Sequence, residues 1–449
     1  MPASPTTTQP VDRTIERIAL VVIGIGIALR LWVLTQRGSL WLDEASLVLN
    51  VLARGFAGLA SPLDWGQAAP VGFLWLEKSR GPVASPHGWT IRKKVLNPGT
   101  KVRWWLMWAA IPYGVVAWLR ALLYDWGWFD QKRLPVQVVS VGNLTLGGTG
   151  KTPVVILLAD WLLAQGKQVA ILSRGYRRTS TAQYLLVSNG ERLLVGPQEA
   201  GDEPFLMAQR CPRAIVAVGA DRYQLGDWVL ERFPIDCLLL DDGFQHRGLY
   251  RDVNLLLIDA TDAAGLAALV PAGRLREPLK AAARATAIIV TRADVLAQVN
   301  EVCRRLQAKL GSIPDPVQAV FRPENLVSVV TGAVQPLSWS KGKTALLCSA
   351  VGHAGSFRSL VERLGMRVLD EVAYVDHHAY TRQDIEQLRA RAGELRTDLV
   401  VTTEKDACKM ASLLHPSDAW WAVRLTTHVV KGEDRLRQLV LGMGLKAEG

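Results

Sequence analysis

Cysteine is scarce. The chain of 449 residues has five, Cys211, Cys237, Cys303, Cys348 and Cys408, and no two form a close pair. That scatter argues against a zinc cluster and against a disulfide framework. It fits a reducing compartment, with each thiol serving as a small buried apolar side chain. A nucleic-acid recognition module is also missing, despite a net charge of +11, so no nucleic-acid partner is expected; no obligate protein partner is evident. The first apolar run lacks a small-residue cleavage site after it, which separates it from a signal peptide. The length allows two or three domains with sizeable cores.

The positive charge is unevenly spread. Residues 1–135 hold 15 Lys/Arg against 8 Asp/Glu and 11 of the 16 tryptophans. Basic residues interleaved with tryptophan beside apolar runs describe a membrane interface better than a nucleic-acid groove. Residues 1–12 are polar and Pro/Thr-rich, a composition expected to stay disordered. Ile18 to Leu34 is almost wholly apolar, and with flanks to Gln36 it approaches the roughly 20 residues that span a bilayer. A transmembrane helix is expected over 18–36. A linker composition follows at 79–100 and includes the basic run Arg92-Lys93-Lys94. Val102 to Trp128 is again apolar and rich in tryptophan, with Arg103 and Arg120 near its ends. That pattern predicts a helix lying in the membrane interface, with the basic flanks on the cytoplasmic side.

The chain is organised around Gly142-Asn-Leu-Thr-Leu-Gly-Gly-Thr-Gly150-Lys151-Thr152-Pro153. The strand-like run Val136–Val141 enters it and the helix-like run Pro153–Leu163 leaves it. Gly147, Gly148, Thr149 and Gly150 let backbone N–H groups close around phosphate oxygens. Lys151 supplies charge for the outer phosphates and Thr152 a hydroxyl ligand for Mg²⁺. The helix turns its positive dipole end to the same anion. The strict phosphate-loop pattern wants glycine where Thr145 stands, but the strand, the helix and Gly-Lys-Thr at their junction predict a nucleoside triphosphate site.

Strands and helices then alternate, which predicts an open parallel sheet with helices on both faces. Lys167–Leu172 is a second strand ending in Ser173-Arg174-Gly175-Tyr176-Arg177-Arg178. This cationic loop is either solvated or placed for an anionic substrate at the carboxyl end of its strand. Gly201-Asp202-Glu203-Pro204 opens a helix, and capping alone would explain its acids. Ile235–Asp241 is a strand ending in Asp241-Asp242-Gly-Phe-Gln-His246, paired acids suited to holding Mg²⁺. Pro271-Ala-Gly-Arg274-Leu-Arg276-Glu277-Pro278 is an arginine-rich loop, solvated or facing charge on a transferred phosphoryl group; Arg276 and Glu277 are its candidate contacts. Thr291-Arg292-Ala-Asp294 resembles the guanine-reading element of GTPases, with Arg292 in place of lysine.

Two family resemblances follow from these motifs. Ser39–Ser46 and Gln67–Lys78 resemble the first helix and loop of membrane glycosyltransferases that use polyprenyl-phosphate sugars, in which an acid matching Asp43 or Glu44 serves glycosyl transfer. The other spans of such an enzyme are absent, so its activity is not carried over. From Arg92 to about Val440 the chain resembles tetraacyldisaccharide 4′-kinase. The matches run in order through Asn97-Pro-Gly, Ser140–Pro153, Ser173–Tyr176, Gly201–Pro204, Gly219–Arg222, Asp241–His246, Leu275–Pro278, Asp376-His377-His378 and Thr403–Asp406. The resemblance implies an ATP- and Mg²⁺-dependent kinase for the 4′-hydroxyl of a membrane glycolipid, tetraacyldisaccharide 1-phosphate. It would work at the cytoplasmic face of a Gram-negative inner membrane. It also implies that Asp202 is the base for the sugar hydroxyl and that His377 supports it. Thr145 matches the family's own loop pattern. Ser349-Ala-Val-Gly352-His-Ala-Gly355 departs from the usual Gly-x-Gly-Asn-Pro.

The expected architecture is α/β: a phosphate-loop domain at 136–325 and a smaller α/β domain with linker strands at 326–449. An extension at 1–90 and an interface helix within 91–135 precede them. A membrane-anchored GTPase-like switch or metallochaperone is the alternative.

Overall fold

The structure, a computed structural model, describes residues 107–351, 354–375 and 378–442. The helix expected at 18–36, Asp43, Glu44, the linker, His377 and Gly352 lie outside the described residues. Among the described residues no helix is long and apolar enough to cross a membrane.

Within the expected interface segment, helix α1 runs over Met107–Asp125. Tyr113, Ala117 and Arg120 face inward, while Trp108 is 80% and Trp118 57% exposed, with Ile111 and Val115 between them. The spacings 108, 111, 115, 118 and 113, 117, 120 fall on opposite helix faces. One face is therefore packed and the other is an apolar stripe open to solvent.

The sheet begins with β1 (Gln137–Asn143), followed by α2 (Lys151–Ala164), β2 (Val169–Ser173) and β3 (Tyr184–Asn189). Next come α3 (Asp202–Arg210), β4 (Ile215–Gly219), α4 (Arg222–Leu230), β5 (Cys237–Asp241), β6 (Val253–Asp259), β7 (Ala287–Thr291) and α5 (Leu296–Leu310). The long strand β8 (Val317–Ser328) and short β9 (Val334–Pro336) lead to β10 (Thr344–Ser349), α6 (Ala354–Arg363), β11 (Arg367–Ala373) and α7 (Arg382–Leu395). The chain closes with β12 (Leu399–Thr403), α8 (Glu404–Met410), β13 (Trp420–Lys431) and α9 (Glu433–Leu441).

All the strands join one sheet in the order β11-β10-β12-β13-β8-β7-β6-β1-β5-β2-β4-β3, with β9 on β8. Pairing is parallel except at β3–β4, β13–β8 and β8–β9. The central strands are apolar throughout because both of their faces are covered. β2, β5 and β6 are buried along their whole length. The boundary expected near residue 325 falls inside β8, whose antiparallel pairing with β13 carries the sheet from one half into the other. Beyond it, β10, β12 and their helices enclose separate clusters around Leu347, Val401 and Met410. Helix α9 returns to the first half, where Leu436, Val440 and Leu441 pack in the same cluster as Val154, Leu158 and Leu162 of α2.

Candidate active site

The loop after β1 is shaped by a partner segment. Leu146 N donates to Arg274 O at 2.8 Å, Arg276 N donates to Leu144 O at 2.7 Å, and Thr145 bridges Leu275 in antiparallel fashion. Thr145 is thus an extended strand residue, and a side chain is accommodated there. The glycine requirement lies further on, at Gly147 (φ 114°) and Gly150 (φ 81°), a backbone region that side chains strain to enter. A Cβ at Gly150 would lie 2.1 Å from the Phe321 ring of β8. Gly147 and Gly148 are exposed, and Gly150 caps the N-terminus of α2, which directs its free N–H groups at the loop.

Register places the acids beside the loop. Val141 of β1 is opposite Asp241 at the end of β5. Asp242 follows in a left-handed conformation (φ 53°) that turns the chain away. Lys151 Nζ lies 3.4 Å from Asp242 Oδ1 and donates to Asn143 Oδ1 at 3.3 Å. Arg276 Nη1 donates to Asp242 Oδ2 at 3.0 Å, and Ser173 Oγ donates to Asp241 Oδ2 at 2.9 Å. These environments separate the two carboxyls. Burial pushes Asp241 up to about 7, and Glu203 and Asp242 add to that against Lys151 and the Ser173 hydrogen bond. Burial acts on Asp242 in the same sense, but Arg276, Lys151 and Arg222 outweigh it and hold its carboxyl well below the usual range.

The buried oxygens Asp241 Oδ1 and Asp242 Oδ1 accept no hydrogen bond. An all-oxygen set of this kind, beside an exposed glycine loop, fits a hard divalent cation together with a polyphosphate. Thr152 stands at the second position of α2, on the same side of the loop.

A cleft opens next to the acids, lined by Ser173, Arg174, Tyr176, Asp202, Glu203, Pro204, Asp241 and Asp242. It brings together Arg174, Asp202 and the acid pair, which lie far apart in the chain. Asp202 occupies the first turn of α3, where the helix dipole favours a carboxylate. Helix α3 is tied to α8 by Arg210–Glu404 at 2.8 Å and Lys405–Glu203 at 3.4 Å. Lys409 Nζ lies 3.7 Å from Asp202 Oδ2 and 2.9 Å from Asp406 Oδ1, and it donates to His378 O at 3.0 Å. The same lysine thus links the His378 carbonyl to Asp202. His378 itself stacks on Tyr374, with ring centroids 4.4 Å apart, and meets Asp384 Oδ2 at 3.1 Å.

Two expected contacts sit behind the cleft. Arg276 reaches it through Asp242, and the Glu277 carboxylate is paired with Arg284 at 2.5 Å. Ser173, Asn143, Glu203, Arg274 and Lys409 join the site without a role of their own assigned from the sequence. Ser173 had a usable signal, since it ends the strand that pairs with β5 one residue short of Asp241. Lys409 had none, because its contact with Asp202 spans the two halves.

This strand–loop–helix, with Gly-Lys-Thr at the junction and paired acids on the neighbouring strand, defines a phosphate-loop nucleotide-binding α/β protein. The family model described as tetraacyldisaccharide-1-P 4′-kinase matches residues 102–443, and the chain belongs to that family. The tetraacyldisaccharide 4′-kinase of Syntrophus aciditrophicus is 38% identical over 307 residues, which are 67% of this chain and 82% of that protein. That of an Anaeromyxobacter species is 37% identical over 319 residues, 71% of this chain and 85% of its own length. Among solved structures, LpxK from Aquifex aeolicus in complex with ATP is similar at 33% identity and a TM-score of 0.61, covering 75% of this chain and 98% of that one. Membership does not favour the switch or metallochaperone alternative.

Proposed function

We propose that this chain transfers the terminal phosphoryl group of ATP to the 4′-hydroxyl of tetraacyldisaccharide 1-phosphate, in keeping with the 4′-kinase name its relatives carry. The observation that carries this reading is the cleft in which Asp202 and Arg174 face the acid pair beside Lys151. Bound Mg-ATP supplies the transferable phosphoryl group and divalent charge for the oxygens that receive the developing charge.

The chain's own residues do the rest. The exposed glycines and Lys151 grip the phosphates, and Thr152, Asp241 and Asp242 are the oxygen ligands available to Mg²⁺. Asp202, at the cleft wall, accepts the proton of the attacking hydroxyl, and His377 supports it. Arg174 meets the anionic acceptor, while Arg276 and Glu277 hold the floor behind the acids. Residues 136–325 act as the kinase lobe, and the smaller α/β lobe carries His377 to it. The exposed stripe of α1, with Trp108 and Trp118, rests in the cytoplasmic face of the inner membrane, where the lipid acceptor resides.

Lys151→Ala and Asp202→Ala test the assignment. Both lower turnover by orders of magnitude, and Asp202→Ala leaves ATP affinity nearly unchanged. A large loss of ATP affinity in Asp202→Ala would make it a structural or metal residue instead.

A further inference from the structure

The Thr291-Arg292-Ala-Asp294 element follows β7 at the place where a GTPase would read its base. In this chain its side chains are engaged elsewhere. Thr291 is fully buried, and its hydroxyl donates to Thr149 O at 2.9 Å. Arg292 Nη1 donates to Gly148 O at 3.0 Å and is ion-paired with Asp259 at the end of β6. Asp294 is paired with Arg322 at 3.0 Å. From the opposite side, Arg274 Nε donates to Leu146 O at 2.9 Å, while its Nη1 is held by Asp262 at 2.8 Å. Three carbonyls of the phosphate loop are therefore each bound by a side chain, and both arginines are themselves fixed by a carboxylate.

We propose that Thr291, Arg292 and Arg274 are positioning residues that preset the phosphate loop for ATP by holding its carbonyls outward. The proposal rests on the reading that this loop holds the ATP phosphates. The physical reason is the planar trans peptide, in which a C=O and the N–H that follows it point in opposite directions. Fixing the carbonyls of Leu146, Gly148 and Thr149 turns the N–H groups of Gly147, Thr149 and Gly150 to the other side of the chain. Among the described residues none of those three N–H groups has a backbone acceptor, so they are available to an anion. The left-handed φ of Arg292 (51°) is a conformation that a bulky residue keeps only where its surroundings over-determine it. Its two fixed contacts supply that constraint. A loop held in its binding shape spends less of the phosphate interaction on ordering itself, so ATP binds more tightly.

Isothermal titration of Mg-ATP into the detergent-solubilised full chain tests this directly, with KM for ATP measured in parallel. Thr291→Val keeps the shape and removes the hydroxyl, and it should weaken ATP binding and raise KM roughly fivefold, the size of one buried hydrogen bond. Thr291→Ser restores the hydroxyl and should bind within about twofold of wild type. Arg292→Ala, at a partly exposed site, should weaken ATP binding by a similar factor while kcat at saturating ATP changes little. Wild-type ATP affinity in both folded Thr291→Val and Arg292→Ala would overturn the proposal. So would equal impairment of the valine and serine variants, which would assign the effect to strand packing. Failure of the wild-type chain itself to bind Mg-ATP would refute the underlying reading of the loop instead.

Discussion

The ammonium of Lys409 lies 3.7 Å from the carboxylate of Asp202, across the junction between the two halves of the sheet. Lys409 is nearly buried, and the Asp406 it also binds is completely so. Asp406 in turn accepts from Ala350 N at 2.9 Å and from Thr403 Oγ1 at 2.8 Å. One lysine thus connects the end of β10, the His378 carbonyl and the proposed base. Removing one partner of a buried ion pair strands the other. Lys409→Met is expected to lower Tm by several degrees and kcat by about tenfold or more, in line with the ~3–5 kcal/mol scale of such losses. ATP affinity should stay near wild type. Wild-type turnover in the folded variant, measured at saturating Mg-ATP, would remove Lys409 from the site.

Helix α1 touches the phosphate machinery as well as solvent. The buried Tyr113 hydroxyl donates to Arg276 O at 2.6 Å, and the Arg276 side chain holds Asp242. Tyr113→Phe deletes the hydroxyl and its bond to Arg276 without altering the apolar stripe. The expected result is a turnover reduced about fivefold, for a loss near 1 kcal/mol, with vesicle binding unchanged. Equal turnover in the two proteins would show that α1 is only an anchor.

The stripe itself is tested by replacing Trp108, Ile111 and Trp118 with serine in a chain that starts after residue 78. Binding to vesicles with anionic headgroups should fall by roughly tenfold or more, because each large side chain buries about 1.5–3 kcal/mol of apolar surface. Co-sedimentation reads this out, and undiminished binding would place the membrane contact elsewhere.

Thiol chemistry checks the packing. Burial pushes Cys211, Cys237 and Cys408 up to about 12 and raises Cys348 further, so their reactive thiolate forms are nearly absent at pH 8. Cys303 on α5 is partly exposed and also raised, but less. Iodoacetamide at pH 8 should modify Cys303 first and the other four only after denaturation, as followed by peptide mass spectrometry. Rapid labelling of Cys237 in the native protein would contradict the central position of β5.

Much of the site was legible because its parts are local. Gly150-Lys151-Thr152 between a strand and a helix, and Asp241-Asp242 at a strand end, each carry their meaning within a few residues. The apolar runs of β5 and β6 mark buried parallel strands for the same reason. What could not be read depends on pairings across distance. The pairing of residues 274–276 with 144–146 explains why Thr145 is tolerated, yet the two segments lie more than a hundred residues apart in the sequence. The β8–β13 ladder that continues the sheet across residue 325 likewise joins segments far apart in the sequence. The return of α9 to pack on α2 left no trace in its own amphipathic pattern, which would suit any apolar surface. The pairing of Glu277 with Arg284, at the far end of the 3-10 helix Leu279–Arg284, is likewise not readable from its sequence neighbours.

The most direct test of the account is the reaction itself. Detergent-solubilised full chain is incubated with Mg-ATP and tetraacyldisaccharide 1-phosphate, and the lipid is examined by mass spectrometry. The account predicts a product heavier by one phosphoryl group, formed by the wild type and lost in Lys151→Ala and Asp202→Ala. A lipid unchanged in mass, from protein that still binds ATP, would contradict it.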